Sequence, residues 1–282
     1  MIARPELAAI AFRGKDAAAF LQNQLTQDVV SLPPGGATFA ALCQPKGRVI
    51  ALLLVGVAED GLRVVCHRGL ADGLVRHLQR FVFRDDVVIE PLPATTVCAD
   101  DSDGLADVDA DADVFEPLPG HRYVLVEGPA ATGDAAAEPG PEEMSRAKEL
   151  AAGIAWLDAT TSEQFLPQMI GHETIGALSF AKGCFPGQEI IARTRYLGKL
   201  KRFPWTGKLG EPLPLEALDA AELAGGGQSA KAVLVDQARA GDGTVRALLV
   251  ARRPEAFQVE TITVGERTFA ASGRWLEPPP RD

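Results

Sequence analysis

The stretch KGCFPGQEIIAR, from Lys182 to Arg193, places a thiol between a lysine and the start of an amphipathic segment. Gly183, Pro186 and Gly187 oppose helix continuation across Cys184. From Gln188 onward Ile190, Ile191, Thr194 and Leu197 recur at helical spacing, which predicts a helix beginning just after Gly187. Cys184 then lies near a helix N-terminus, where unpaired N–H groups and the macrodipole favour an anion. Such a setting, with Lys182 beside it and Arg193 able to fold back, suits a reactive thiolate. From residue 182 to 202 the cations Lys182, Arg193, Arg195, Lys199, Lys201 and Arg202 are opposed only by Glu189. A basic island of this kind suits a ligand that carries carboxylates or phosphates. A lone cysteine is also commonly a small buried hydrophobe, so the residues by themselves leave a reactive and a structural thiol both open.

The surrounding elements must hold that loop. Leu7 to Phe12 reads as a strand, and Asp16 stands where it would cap a helix through AAAFLQNQL. ATFAALCQ, a turn at Pro45-Lys46-Gly47 and RVIALLLVGVA read as a β-hairpin, followed by a strand at LRVVCH. LADGLVRHLQRFVF reads as a helix with Leu74, Leu78, Phe81 and Val82 on one face and Arg76, Arg80 and Arg84 along a solvated stripe. A further helix is expected at EMSRAKELAA. The acidic run CADDSDGLADVDADADVFE invites a calcium reading that fails on inspection. Ala112 stands where an EF-hand needs glycine after Asp107, Asp109 and Asp111, and Leu118 replaces the closing glutamate. That run is expected to be a solvated loop with a flanking strand, and EGPAATGDAAAEPGPEE a second loop. After Arg202 short β-like runs, FPWTGKL, KAVLVDQ, TVRALLVAR, FQVETITV and RTFAASGRWL, alternate with Gly, Pro and Asp, the texture of a small barrel. Gly225-Gly226-Gly227 reads as a turn.

Composition narrows the class. At 282 residues the chain has room for about two domains. A formal net charge of −10 argues against a generic binder of nucleic acid or anionic membrane. Cys43, Cys66, Cys98 and Cys184 form no CxxC pair, which argues against a zinc site and for a reducing compartment. Glu6 and Arg13 interrupt any signal-peptide core, and the run from Val49 to Ala58 is too short for a membrane helix. A soluble cytoplasmic protein is expected.

KGCFPGQEIIARTRYLGKLKR resembles the signature of the YgfZ-type folate-binding proteins, which act in iron–sulfur cluster assembly and repair. The matching positions are Lys182, Gly183, Cys184, Phe185, Gly187, Gln188, Glu189, Arg193, Gly198 and Arg202. FLQNQLTQDV, PKGRV and AGIAWLDATTSEQFLPQ resemble weaker family motifs in the same order, so the resemblance covers most of residues 5 to 205. One departure is Gly171, in PQMIGHE, where family members often carry asparagine. The family is related in fold to the T-protein of the glycine cleavage system, a tetrahydrofolate-dependent aminomethyltransferase.

The resemblance implies an α+β, aminomethyltransferase-like folate-binding body over residues 1–205 and a small C-terminal β-barrel over 206–282. It implies tetrahydrofolate, or a derivative, as ligand. The anionic tail would lie near basic side chains such as Lys46, Arg48 or those of the signature. Cys184 would be the functional thiol, meeting a cluster, a sulfur species or a client protein, with no stable metal site. Gln188 and Glu189 would hold the loop in shape. Partners would be iron–sulfur client or assembly proteins, with no membrane and no direct nucleic acid; effects on tRNA modification would arise through iron–sulfur enzymes. The competing reading is a folate-dependent one-carbon transferase. Against it, GRVIALL offers Val49, Ile50 and Ala51 where the T-protein hairpin places a carboxylate, and ELAAGIAW offers Ala151 where a second T-protein glutamate would fall. Aliphatic side chains cannot exchange a proton.

Overall fold

The structure, a computed structural model, describes residues 1–100, 112–128, 139–198, 200–214, 220–254 and 257–280. The centre of the acidic run, most of the EGPAATGDAAAEPGPEE loop and Lys199 lie outside the described residues. Two compact units share the chain in alternation. Unit 1 comprises Met1–Gly133, Trp156–Gln164 and Gly176–Ile190; unit 2 comprises Asp134–Ala155, Phe165–Ile175 and Ile191–Asp282.

In unit 1, β1 (Ile2–Ala3), β2 (Leu7–Arg13), α1 (Ala17–Gln24), β3 (Ala37–Cys43), β4 (Val49–Ala58) and β5 (Gly61–His67) lead to α2 (Arg68–Gln79). Then come β6 (Val88–Pro91), β7 (Thr95–Asp100), β8 (Asp113–Leu118) and β9 (His121–Glu127). One sheet has the order β3-β4-β5-β2-β6, the other β1-β7-β9-β8. Phe12, Leu21, Leu53, Val64 and Leu78 belong to one continuous core formed by the five-stranded sheet and its two helices. The second sheet meets β4 closely, since a Cβ at Gly56 would fall 2.3 Å from the Phe115 ring. Phe39, Tyr123 and Trp156 meet edge-on with centroids 5.9–6.3 Å apart, an arrangement that aromatic quadrupoles favour.

The expected hairpin, first helix and barrel strands are present, with local differences. Asp16 occupies the N-cap position of α1 but makes no cap bond; its carboxylate accepts from the Asp86 N–H instead, at 2.8 Å. The second helix stops at Gln79, with Arg80 as its C-cap and Arg84 well beyond, so of the expected stripe only Arg76 lies within the helix; Arg76 and Arg80 are both exposed. Phe81 and Val82 still reach the core, because a tight turn donating from the Phe81 N–H to the Leu78 carbonyl at 2.9 Å returns them to it.

In unit 2, α3 (Pro141–Ala152), a 3-10 turn (Pro167–Ile170) and α4 (Gln188–Tyr196) precede six strands; the unit division falls within α4, after Ile190. The strands are β10 (Phe203–Leu209), β11 (Ala221–Gly225), β12 (Gln228–Arg239), β13 (Val245–Ala251), β14 (Thr261–Val264) and β15 (Arg267–Trp275). They close in the order β10-β13-β12-β11-β14-β15, with β15 pairing back onto β10. Closure removes every sheet edge. Only Thr261–Val264 of FQVETITV is strand, and Gly226 and Gly227 form the turn expected of them at φ +58° and +77°. The α3 helix is tied to the barrel by the Thr206 hydroxyl donating to the Leu150 carbonyl (2.8 Å) and by Arg146 against Asp236 (2.5 Å). No described helix is long and apolar enough to cross a membrane.

Candidate functional site

The signature loop is built in unit 1 from its anchors outward. The Thr26 hydroxyl donates to the Ala177 carbonyl (2.6 Å) and accepts from the Ala41 N–H (2.7 Å); the Thr26 carbonyl accepts from the Ser179 N–H (2.9 Å). Lys182 continues this seam. Its Nζ donates to the carbonyls of Gln22 and of Leu25, the latter at 2.5 Å, and lies 5.2 Å from the Phe185 ring centroid. These carbonyls belong to the last turn of α1, where orphan acceptors and the negative dipole end favour a cation. Burial brings the Lys182 ammonium down to about 8, with Asp28 opposing the shift. Lys182 therefore fastens the loop as well as charging it. FLQNQLTQDV owes its place beside the signature to these contacts.

Two glycines set the other side of the loop. Gly187 has φ +84°, and a Cβ there would lie 2.6 Å from the Gly47 Cα and 2.7 Å from the Gln44 carbonyl oxygen. Gly47, at φ +75°, would in turn place a Cβ 3.2 Å from that of Ile190. The signature loop and the β3–β4 turn thus meet backbone to backbone, which only glycine permits. This brings the loop carrying Cys184 against the turn that carries Lys46 and Arg48. Both cations are exposed, and the Arg48 guanidinium donates to the Gln164 carbonyl.

Helix α4 begins at Gln188, as the spacing predicts, and the Gln188 N–H donates to the Phe185 carbonyl at 3.2 Å. Phe185 is buried, whereas Gly183, Cys184 and Glu189 are exposed. The remaining cysteines are buried in strands; burial pushes the Cys66 thiol up to about 12 and shifts Cys43 and Cys98 in the same direction. Brief iodoacetamide treatment at neutral pH, followed by mass mapping, is expected to label Cys184 well ahead of the other three. Earlier labelling of any of those would sink the accessible-thiol assignment. Among the described residues no group of three or more His, Cys, Asp and Glu side chains is placed to hold a metal.

Arg193, Arg195, Gly198 and Arg202 belong to unit 2. Gly198 closes α4, its N–H donating to the Arg193 carbonyl at 2.7 Å. Arg193, Lys201 and Arg202 are exposed. Arg195 is not part of an open basic surface, because it pairs with Glu173, their side chains only 10% and 6% exposed. Within unit 2 a cavity of about 340 Å³ has walls that include Gln168, Glu173, Arg195, Gly198 and Phe203; Lys46 and Arg48 are not among them. Gln168 is buried, its Nε2 donating to the Ile191 carbonyl at 2.8 Å while its Oε1 has no partner. An unanswered buried acceptor costs about 1–3 kcal/mol. No motif signals this cavity, because its walls are drawn from three separated segments. Gly171, the departure from the family pattern, sits at φ +81°, a left-handed conformation that asparagine also tolerates.

The comparisons with known proteins agree with these features. No family model matches the chain. The tRNA-modifying protein YgfZ of Enterobacter sp. strain 638 is 29% identical over 238 residues, covering 73% of this chain and 70% of that protein. Its namesake from Sodalis glossinidius (strain morsitans) is 27% identical over 72% of this chain and 69% of the relative, and that of Yersinia pestis (strain Pestoides F) 26% over 72% and 68%. Among solved structures, the glycine cleavage system aminomethyltransferase T of Bartonella henselae superposes with a TM-score of 0.68 at 17% identity, covering 96% of this chain and 84% of that one. The resemblance implied by KGCFPGQE is thereby borne out: the chain is similar to the YgfZ proteins over nearly three quarters of its length and has the aminomethyltransferase fold.

Proposed function

We propose that the protein is a tetrahydrofolate-binding accessory factor that supports assembly or repair of iron–sulfur clusters in client enzymes, and through them tRNA modification. The observation that carries this reading is the pairing of one exposed thiol, Cys184, with a cation-bearing turn, on a loop fixed by Lys182 and the Gly47–Gly187 contact. A thiolate is a soft ligand suited to iron and sulfur species. The residues present fit the anionic part of a folate, since Lys46 and Arg48 are both exposed on either side of Gly47. When bound, tetrahydrofolate supplies a reduced pterin that carries one-carbon groups. The cluster or sulfur species is cargo, met by Cys184 at the surface.

The fold likeness favours one further reading, a one-carbon transferase. Against it, Val49 and Ala51 are buried aliphatic residues of β4, and Ala151 lies in α3. A turnover assay with aminomethyl and methyl donors is expected to give no rate above background.

Two measurements test the accessory role. Tetrahydrofolate protected from oxidation is expected to raise the melting temperature, by mass action worth about 2.7 kcal/mol at a hundredfold excess over Kd. Absence of a shift at millimolar ligand removes the folate assignment. Cys184→Ser is expected to melt normally and bind folate normally, yet fail to support a [4Fe–4S]-dependent enzyme in cells lacking the native protein. Full rescue by the serine variant would make Cys184 structural.

A further inference from the structure

Beyond β15 the chain crosses unit 2 as a strap, residues 276–280, whose conformation the sequence dictates. Glu277, Pro278 and Pro279 each precede a proline, which drives all three to the extended or polyproline II region. The prolines carry no N–H, so protein contacts reach them through carbonyls and ring faces. Polyproline II repeats every three residues, and the two carbonyls that are held lie three apart. Glu277 accepts from the Thr174 hydroxyl and Pro280 from the Arg195 guanidinium, both at 3.3 Å. The Glu277 carboxylate pairs with Arg253, whose guanidinium lies 5.7 Å from the Trp275 ring centroid. Leu276 is the anchor: it is buried, and its N–H donates to the Pro204 carbonyl at 2.9 Å. Its Cδ1 takes room that a Cβ at Gly153 or Gly171 would contest, at 2.8 and 3.2 Å.

Pro278 and Pro279 wall the unit 2 cavity together with Leu200 and Phe203. An aromatic-lined groove, donors for carbonyls one turn apart and a charged partner at one end are the means by which proteins read proline-rich segments. The strap fits this groove incompletely. Its two carbonyl bonds are exposed and at the long end of hydrogen-bond geometry. About 340 Å³ stays unfilled between its prolines and the other walls, room for a larger side chain than a pyrrolidine ring. Glu173 and Arg195, the charged wall residues, pair with each other, so the side chain that suits this space is apolar.

We propose that this groove docks a proline-rich segment of a partner protein, acidic ahead of its prolines and with a large apolar side chain among them. Residues 277–280 occupy the groove in cis until the partner displaces them. A second copy of this chain would offer the same ill-fitting prolines and gain nothing over the cis strap. Pro278→Gly combined with Pro279→Gly in the full chain, both at exposed positions, should release the strap while Leu276 stays anchored. End-capped Glu-Pro-Pro-Pro, titrated into that variant and followed by NMR, should shift the Thr194 and Gly198 amides saturably at millimolar concentration. The parent should bind it roughly tenfold more weakly, because a short tether presents the strap at millimolar effective concentration. End-capped Glu-Pro-Leu-Pro, with an isobutyl group at the Pro279 position, should bind roughly tenfold more tightly than Glu-Pro-Pro-Pro. Glu277→Lys, which Arg253 repels, gives a second released form should the glycines disturb the fold. Three results overturn the proposal: no saturable binding by either released form, equal binding by the parent, or equal binding of end-capped Glu-Gly-Gly-Gly. Self-association of the parent that Glu277→Lys abolishes would assign the groove to a second copy and overturn it too. Folate has no part in these titrations, so their outcome is independent of the folate assignment.

Discussion

Replacing Gly187 with alanine is expected to destabilise the protein by roughly 2–4 kcal/mol, combining a left-handed backbone penalty of about 1–2 kcal/mol with overpacking against fixed atoms. The Cβ would stand 2.6 Å from the Gly47 Cα and 2.7 Å from the Gln44 carbonyl oxygen, neither of which is a side-chain end able to swing away. Gly183 provides the control within the same signature. Its Cβ would meet nothing within 4 Å and its φ lies outside the left-handed region, so Gly183→Ala should stay within about 0.5 kcal/mol of the parent. Urea midpoints for the two variants decide the matter. Equal losses would mean that the loop does not rest on the β3–β4 turn as described.

Acid should weaken the fold well before carboxylates titrate. His172, 1% exposed in unit 2, has its imidazole pushed down from the usual 6.5 to about 3 by burial alone, and its Nδ1 has no partner. Between those values the unfolded chain binds a proton that the folded chain refuses, so stability falls as pH falls. The contribution is fully present above 6.5, and the slope approaches about 1.4 kcal/mol per pH unit, or about 2 kcal/mol lost by pH 5. Asp28, Asp60 and Asp158 are held below their ordinary value, so their losses begin only at lower pH. Denaturation midpoints from pH 7 to 5, compared between the parent and His172→Gln, isolate the effect. An unchanged slope in the variant would count against a buried neutral imidazole.

Where a local rule governs, the sequence is legible. Pro45-Lys46-Gly47 marks its turn because glycine alone takes φ +75° there without strain. Gly187 followed by apolar spacing marks the start of α4, and three cysteines inside apolar strands are buried. Signals carried by distant partners are not legible. Lys182 counts in the sequence as a cation beside a thiol, while its fastening role depends on carbonyls of α1. Arg195 counts toward a basic island until Glu173 neutralises it. The end of α2 was hidden for a different reason: no glycine or proline follows Gln79, and Phe81 and Val82 continue the apolar pattern from a turn.

The alternation of the two units along the chain has a consequence for biosynthesis. Unit 1 is not complete until Ile190 has been made, and Thr26 waits 151 positions for Ala177. At about 5–20 residues per second, a nascent chain spends roughly 10–40 s reaching that point. During this interval the last turn of α1 lacks the ammonium of Lys182 on its carbonyls, and the β3–β4 turn has no loop to rest on. Ribosome-bound chains stalled before Ala177 should therefore be cleaved readily by protease, and chains stalled once Ile190 has cleared the exit tunnel should resist it. Separate expression of an N-terminal half would leave the same seam open for good.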